Sequence, residues 1–317
     1  MRIFLAGASG AVGKRLVPAL VTKGHHVVGM IHSPQKADWV RLMGAEPILA
    51  NGLHADAVHQ AVARTHPEVI INQMTALSPD FNPRKFDQIF ATTNRLRTEG
   101  NDNLLAAAKA GGVRRFIAQS YAGWPYARIG GPIKTEADPL DPDPPKPLRN
   151  TLTAIRHLES ATIHAGLEGF VLRYGSFYGP GTTSDGMLDQ IRKRRMPVVG
   201  DGAAIWSFLH IDDAAQATVA AVEAGAPGIY NIVDDEPATV SSWLPEVARL
   251  TGSQPPRHVA VWLARFLIGE AGIIMMTATR GASNQKAKME LGWTPFWKSW
   301  RDGFRNEIDE NRQPKAA

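Results

Sequence analysis

The sequence predicts an α/β protein: a doubly wound parallel sheet joined to a smaller, mostly helical C-terminal unit. Three observations lead there. Short β-branched runs alternate with amphipathic stretches through the first half of the chain. A glycine-rich turn follows the first run and opens the first helical stretch. The second half loses the alternation, and five of the eight tryptophans (Trp243, Trp262, Trp293, Trp297 and Trp300) lie beyond residue 238.

Taken in order, strands are expected at residues 2–6, 26–31, 68–72, 115–119 and 169–173, with one more at 228–233. Helices are expected at 11–22, 35–43, 55–64, 93–110 and 151–165. Asn150 suits the cap of the last of these, and Gly166 its stop. A Gly- and Pro-rich loop at 174–186 leads into a helix ending near 195. A hairpin-like piece and a helix at 212–224 come next, and from about 238 the chain reads as mostly helical. The stretch PLDPDPPKP at 139–147 reads as a surface loop, because the α/β pattern continues on both sides of it.

The 317 residues are 44% apolar and 21% charged, enough for a sizeable core. Without cysteine there is no disulfide, no thiolate chemistry and no Cys-ligated zinc, and a cytoplasmic location fits. The apolar run at the N-terminus breaks too early at Gly and Ser for a signal peptide. The stretch 258–276 is interrupted by Arg265 and Glu270 and is too short for a bilayer span. No membrane partner is expected. The stretch reads instead as a buried or groove-lining helix. The net charge of +5 includes an RKRR run at 192–195 with no aromatic or helix-turn-helix pattern beside it. That reads as a solvated helix end, with no nucleic acid as partner, and a mildly basic chain suits anionic ligands.

The turn Gly7-Ala8-Ser9-Gly10-Ala11-Val12-Gly13 carries the first functional signal. Gly7 permits the tight turn, Gly10 lets a pyrophosphate approach the backbone, and Gly13 lets helix and strand pack closely. The free N–H groups of the helix start then face the phosphate charge. Ser9, Gly10, Ala11, Val12 and Gly13 are the expected contacts, the sheet is of the Rossmann type, and the ligand is a nicotinamide dinucleotide. An acid about twenty residues on would select NAD. The second strand instead ends Met30-Ile31-His32-Ser33, and His32, Ser33 and Lys36 suit a 2′-phosphate. NADP is therefore expected, with NAD as the other possibility.

Further motifs come in order: Asn94 with NLLAAAKAGGVRRFIAQS at 103–120, LRYGSFYGPG at 172–181, SFLHIDDAA at 207–215, YNIVDDEP at 230–237 and KMELGWTP at 288–295. With GASGAVG they resemble the extended short-chain dehydrogenase/reductase family, the NAD(P)-dependent epimerases and dehydratases. The resemblance implies a Rossmann domain over 1–174, rejoined by 205–235, and a substrate domain from 175–204 and 236–317. It implies a small-molecule substrate and allows a homodimer. Asn51 and Gly52 would lie at the adenine, and Met74, Thr75 and Ala76 near the ribose. Asn94 belongs to the same cofactor set, with Tyr174, Gly175 and Ser176 near the nicotinamide.

The same resemblance exposes a gap. The family's usual catalyst is Tyr-x-x-x-Lys on one helix face. None of the five tyrosines here has a Lys four residues later. Aligning Glu159 with a recurrent family acid places Thr151 in the Tyr slot and Ile155 in the Lys slot. The family's helper Ser/Thr falls on Ser120 or Tyr121, and Tyr121, Tyr126 and Lys134 are candidates for the missing proton chemistry. Alternatively, Tyr121 and Tyr126 only shape a pocket with Trp124. That pocket would lie under Trp124, Tyr126, Tyr178 and Trp206, roofed by 259–268. His210, Asp212 and Asp213 lack a third spaced ligand, so no metal is expected: Asp212 reads as a helix cap. No Gly-x-Ser-x-Gly elbow supports a hydrolase. Two functions are carried forward: an oxidoreductase acting on a carbonyl or alcohol, and a non-catalytic NADP(H) sensor.

Overall fold

In the computed structural model, which describes residues 1–77, 82–182 and 184–312, the apolar residues of β1 (Arg2–Ala6) are fully buried. Burial on both faces is what a central parallel strand requires. Around it lie β2 (His26–Ile31), β3 (Glu46–Leu49), β4 (Val69–Asn72), β5 (Arg115–Tyr121), β6 (Glu168–Tyr174) and β7 (Gly228–Ile232). All pair in parallel, in the order β7-β6-β5-β4-β1-β2-β3. The order reverses between β1 and β4, which opens a crevice at their carboxyl ends.

The helices are α1 (Gly13–Thr22), α2 (Ala37–Leu42), α3 (Ala55–Thr65), α4 (Phe86–Arg95), α5 (Asn101–Ala110), α6 (Lys146–Ile163), α7 (Ser184–Arg192), α8 (Ile211–Glu223), α9 (Val240–Leu250), α10 (Val261–Thr277), α11 (Gln285–Glu290) and α12 (Trp300–Arg312). Leu16, Val17 and Leu20 of α1 and the alanines of α8 cover one sheet face. Val58 and Val62 of α3, Leu104 and Leu105 of α5 and Leu158 of α6 cover the other. A separate core gathers Tyr178, Leu188, Phe208, Trp243, Leu244, Trp300 and Phe304 from the second half of the chain.

Several elements depart from expectation for identifiable reasons. The unforeseen β3 is a four-residue edge strand containing Pro47, which an edge tolerates because its N–H side is unpaired. The helix expected at 93–110 starts at Phe86 and contains a π turn at Leu96–Gly100. Helix α6 starts at Lys146, with Pro147 in its first turn, so Asn150 is not its cap and donates instead to Asp87 Oδ2 at 3.0 Å. In α10, Gly269 at φ +69° breaks the helical path and re-aims the residues beyond it.

One buried network fastens α6 to the sheet. Arg173 of β6 donates from Nε to Glu159 Oε1 at 2.8 Å and from Nη2 to Oε2 at 2.6 Å. Ser120 of β5 donates to the same Oε1 at 2.7 Å. Arg173 also donates to the Tyr126 hydroxyl at 2.9 Å, which in turn donates to Asn231 of β7 at 2.6 Å. Burial opposes the Arg173 charge, but Glu159 and Tyr126 more than offset it and hold its pKa above the usual arginine value. Removing the carboxylate strands the guanidinium. Glu159→Ala is expected to lower unfolding stability by about 3–5 kcal/mol in urea titration. A loss below about 1 kcal/mol, the scale of an exposed pair, would contradict the network's role.

Candidate functional site

The glycine loop sits at the crevice. Gly7 adopts φ +89°, and a Cβ there would lie 2.7 Å from the Gln73 carbonyl oxygen. A Cβ on Gly13 would lie 2.4 Å from the carbonyl oxygens of Gly7 and Ala8. Both glycines are thus demanded by backbone packing. Gly10 differs: its Cβ would meet only the Gly7 oxygen, at 3.3 Å, and with Ala11 it is exposed. The side toward solvent is open, as close approach by a phosphate needs. Met30 O of β2 accepts from Gly7 and Ala8 N–H and pins the loop. Among the described residues, the N–H groups of Ala11, Val12 and Gly13 have no acceptor in the chain, while the Val12 side chain is buried. Orphan N–H groups at a helix start, with Ser9 beside them, form an anion cradle. These residues fit a dinucleotide pyrophosphate.

Beyond β2, His32 and Lys36 are exposed, and Ser33 donates its hydroxyl to Gln35 at 2.5 Å. The Asn51 carboxamide oxygen accepts from Leu53 N–H at 3.0 Å and so shapes its own turn. Gly52 is buried against Met74: a Cβ there would lie 2.4 Å from the Met74 sulfur. Thr75 and Ala76 are exposed past the end of β4, and Ala76 N–H donates to Thr93 at 3.0 Å. Asn94 of α4 donates to Thr151 Oγ1 of α6 at 3.0 Å, which joins a cofactor candidate to the residue in the Tyr slot.

At the β5 and β6 ends, the candidates separate. Tyr121 reaches Ser176 Oγ at 3.0 Å, and both side chains are only partly buried. Gly175 is required where the chain turns out of β6, since a Cβ there would lie 2.6 Å from the Ser207 oxygen. Tyr174 points away, into the core under α8, bonded to Thr218 at 2.6 Å and Gln73 at 2.9 Å. Ser120 and Tyr126 are held in the Glu159–Arg173 network. Lys134 is buried, donating to Ile129 O at 2.5 Å and to Asp138 at 3.3 Å. The structure therefore brings Tyr121 and Ser176 together and places Tyr126, Lys134 and the Tyr174 side chain elsewhere. Burial pushes the Tyr121 phenol's pKa upward and the Ser176 hydrogen bond offsets part of this, so the hydroxyl is protonated at neutral pH.

The expected aromatic pocket is also redistributed. Tyr178 and Trp206 pack into the second core against Phe208, and Tyr126 lies in the buried network. Trp124 instead joins Phe86, Leu148, Leu152, Ile155, Ala271 and Ile274, with Tyr121, Phe90 and Met275 against them. The roof over this cluster is the part of α10 beyond Gly269. The segment before it faces outward, with Trp262 68% and Phe266 70% exposed. His210, not Asp212, caps α8: its Nδ1 accepts from Asp212 N–H at 3.3 Å, while Asp212 pairs with Arg15 at 2.8 Å.

Sequence reasoning missed Phe86, Phe90 and Arg97. Phe86 stacks on Phe90 at 4.4 Å and meets Trp124 edge-on at 5.5 Å. The Arg97 guanidinium lies 5.8 Å over the Phe90 ring. Arg97 shares a buried row with Thr93 and Asn101 across the π turn, a placement the sequence does not signal.

The middle and last glycines of the loop make contrasting forecasts. Gly10→Val is expected to keep the fold, with an unchanged melting temperature, and to weaken NADPH binding by about a hundredfold, the cost of losing several charge-assisted N–H contacts. Gly13→Ala is expected to compromise folding itself. Calorimetry showing full affinity in Gly10→Val would contradict the cradle.

Residues 3–233 match the family described as NAD dependent epimerase/dehydratase. A 3-diazoavenalumate denitrifying reductase from a Streptomyces species is 41% identical over 313 residues, covering 97% of this chain and 100% of that protein. A 4-hydroxy-2-methyl-3-oxo-4-farnesyl-3,4-dihydroquinoline-1-oxide ketoreductase from Stigmatella aurantiaca is 25% identical, covering 92% of each. Among solved structures, a UDP-glucose 4-epimerase from Thermotoga maritima, determined with UDP-glucose, superposes with a TM-score of 0.76 at 21% identity, over 98% of this chain and 99% of that one, and so shares the fold. Among the described residues no helix is long and apolar enough to cross a membrane. The chain belongs to the NAD dependent epimerase/dehydratase family and is an NAD(P)-dependent oxidoreductase of that type.

Proposed function

We propose that the protein reduces a small, flat, apolar molecule with NADPH, using Tyr121 as proton donor. The observation that carries this reading is the Tyr121–Ser176 pair at 3.0 Å. The other four tyrosines are buried, whereas Tyr121 is partly exposed beside an aromatic cluster. Reduction is the direction named for the Streptomyces and Stigmatella relatives.

When bound, the reduced nicotinamide supplies a hydride to the electrophilic atom of the substrate. The chain's residues do the rest. Ala11, Val12 and Gly13 hold the pyrophosphate with their N–H groups. Phe90 and Trp124 give a flat substrate an apolar, water-poor bed. Gly123, whose Cβ would lie 3.5 Å from the Tyr121 ring, leaves the space beside the phenol clear. Ser176 orients the hydroxyl, which gives its proton to the atom left with the negative charge and regains one from solvent. Thr151 has no share in this, because its oxygen serves the Asn94 amide. The reading requires neither nucleic acid nor a second copy of the chain.

NADP is favoured over NAD in this reading because β2 ends without an acid and leaves His32 and Lys36 exposed. Lys36→Gln is expected to weaken NADP binding and leave NAD binding unchanged. Tighter NAD than NADP binding by the unaltered protein would contradict it.

Tyr121→Phe is expected to cut turnover by about a hundredfold or more while leaving NADPH affinity unchanged. Because the Tyr121 pKa is raised, the donor form persists above the ordinary phenol value. Turnover should therefore show no alkaline loss from this group below about pH 10. Full activity of Tyr121→Phe in a carbonyl-reduction screen followed by NADPH absorbance would contradict the role.

A further inference from the structure

Four Arg and Lys side chains of the described residues, Arg97, Arg115, Lys134 and Arg173, are buried in the chain. Arg115 has Glu168 at 2.8 Å, Lys134 has Asp138 at 3.3 Å and Arg173 has Glu159 at 2.6 Å. Arg97 has no carboxylate within ion-pair distance among the described residues. Its hydrogen bond is a long one, from Nη1 to the Asn94 oxygen at 3.5 Å. Glu159 is the nearest source of compensating field, but both its oxygens are taken by Arg173 and Ser120. This neighbourhood therefore buries two guanidiniums against one carboxylate.

Such an arrangement is costly. A buried cation without a partner is among the most destabilising features a fold can hold. The local backbone is also irregular: Arg97 lies in the π turn between α4 and α5, a departure that recurs at functional positions. Arg97 is only 8% exposed, and among the described residues its one hydrogen bond is the long one to Asn94. Its guanidinium ends an aromatic row, Phe90–Phe86–Trp124, along the cluster that holds Tyr121. Asn94 links it to Thr151, one helical turn from Ile155 in that same cluster. A planar fork of donors at the end of an apolar aromatic wall matches a carboxylate attached to a flat ring.

We propose that Arg97 is the anion-recognition residue of the reduction pocket, and that the substrate is an aromatic or similarly flat apolar molecule bearing a carboxylate. The proposal rests on the reading of that pocket as a reductase site with Tyr121 as donor. It assigns the substrate's carboxylate to Arg97 and its reducible group to the neighbourhood of Tyr121. The cofactor's pyrophosphate is held at the glycine loop and does not need this cation.

The test is equilibrium binding, which requires no turnover. Cinnamate, and cinnamamide as its neutral counterpart, are titrated calorimetrically into the protein saturated with NADP. The unaltered protein is expected to bind cinnamate at least about tenfold more tightly than the amide, the scale of one hydrogen-bonded charge pair. Arg97→Met should remove that preference, and Arg97→Lys should keep part of it. NADPH affinity should stay the same in both. Relief of the unpaired charge should leave the melting temperature of Arg97→Met equal to or above that of the parent. Equal binding of acid and amide, no binding of cinnamate, or full binding by Arg97→Met would overturn the proposal. A drop in melting temperature would assign Arg97 to structure instead, and a drop in NADPH affinity would assign it to the cofactor. Either would also overturn it. Failure of the Tyr121-donor reading would show separately, as unimpaired turnover in Tyr121→Phe, and failure of the reductase reading as no NADPH-dependent turnover by the unaltered protein.

Discussion

The Glu159–Arg173 pair governs the chemistry available around it. Its two oxygens take three donors, two from Arg173 and one from Ser120, and the arrangement ties α6 to β5 and β6. Tyr126 and Asn231 extend it to β7. An ion pair this deeply buried must be satisfied completely to be tolerated. Complete satisfaction has a chemical consequence. Ser120 and Tyr126 are spent on structure, both Glu159 oxygens already accept hydrogen bonds, and Tyr121 remains as a partly exposed hydroxyl at the strand ends. Architecture and reactivity are set by the same network.

The second constraint is backbone proximity at the nucleotide loop. Gly7 and Gly13 touch carbonyl oxygens so closely that no side chain fits. Their contacts bring β1, β4 and the start of α1 into one corner and leave the N–H groups of Ala11, Val12 and Gly13 without an acceptor among the described residues. The phosphate cradle proposed here is thus a product of tight backbone packing. In the proposed reading, a dinucleotide on this loop would extend along the sheet toward β5 and β6, where Tyr121 and Ser176 sit.

Much of this was legible in the sequence. Strands β1 and β2 fall where the β-branched runs place them, because central parallel strands are continuously apolar. The glycine spacing identified the loop because backbone geometry admits no other residue at two of its three positions. Edge strand β3 was not legible: it is short, half-exposed and interrupted by Pro47. The start of α6 was obscured by prolines that serve as its first turn. Side-chain partnerships were the least accessible. Tyr121 and Tyr126 look equivalent in the sequence, five residues apart, yet one faces the cleft and the other a buried arginine 47 residues away. Arg97 was hidden by the π turn, which shifts the register on which helical faces are counted.

The proposed chemistry stands or falls on whether a dinucleotide laid on the glycine loop presents its nicotinamide to Tyr121. A crystal structure of the protein with NADP decides this. The pyrophosphate is expected on the N–H groups of Ala11, Val12 and Gly13. The nicotinamide ring is expected at the β5 and β6 ends, its C4 facing the Tyr121 hydroxyl with Ser176 alongside. A nicotinamide turned toward Lys134 or Tyr126, or a dinucleotide seated away from the glycine loop, would contradict it.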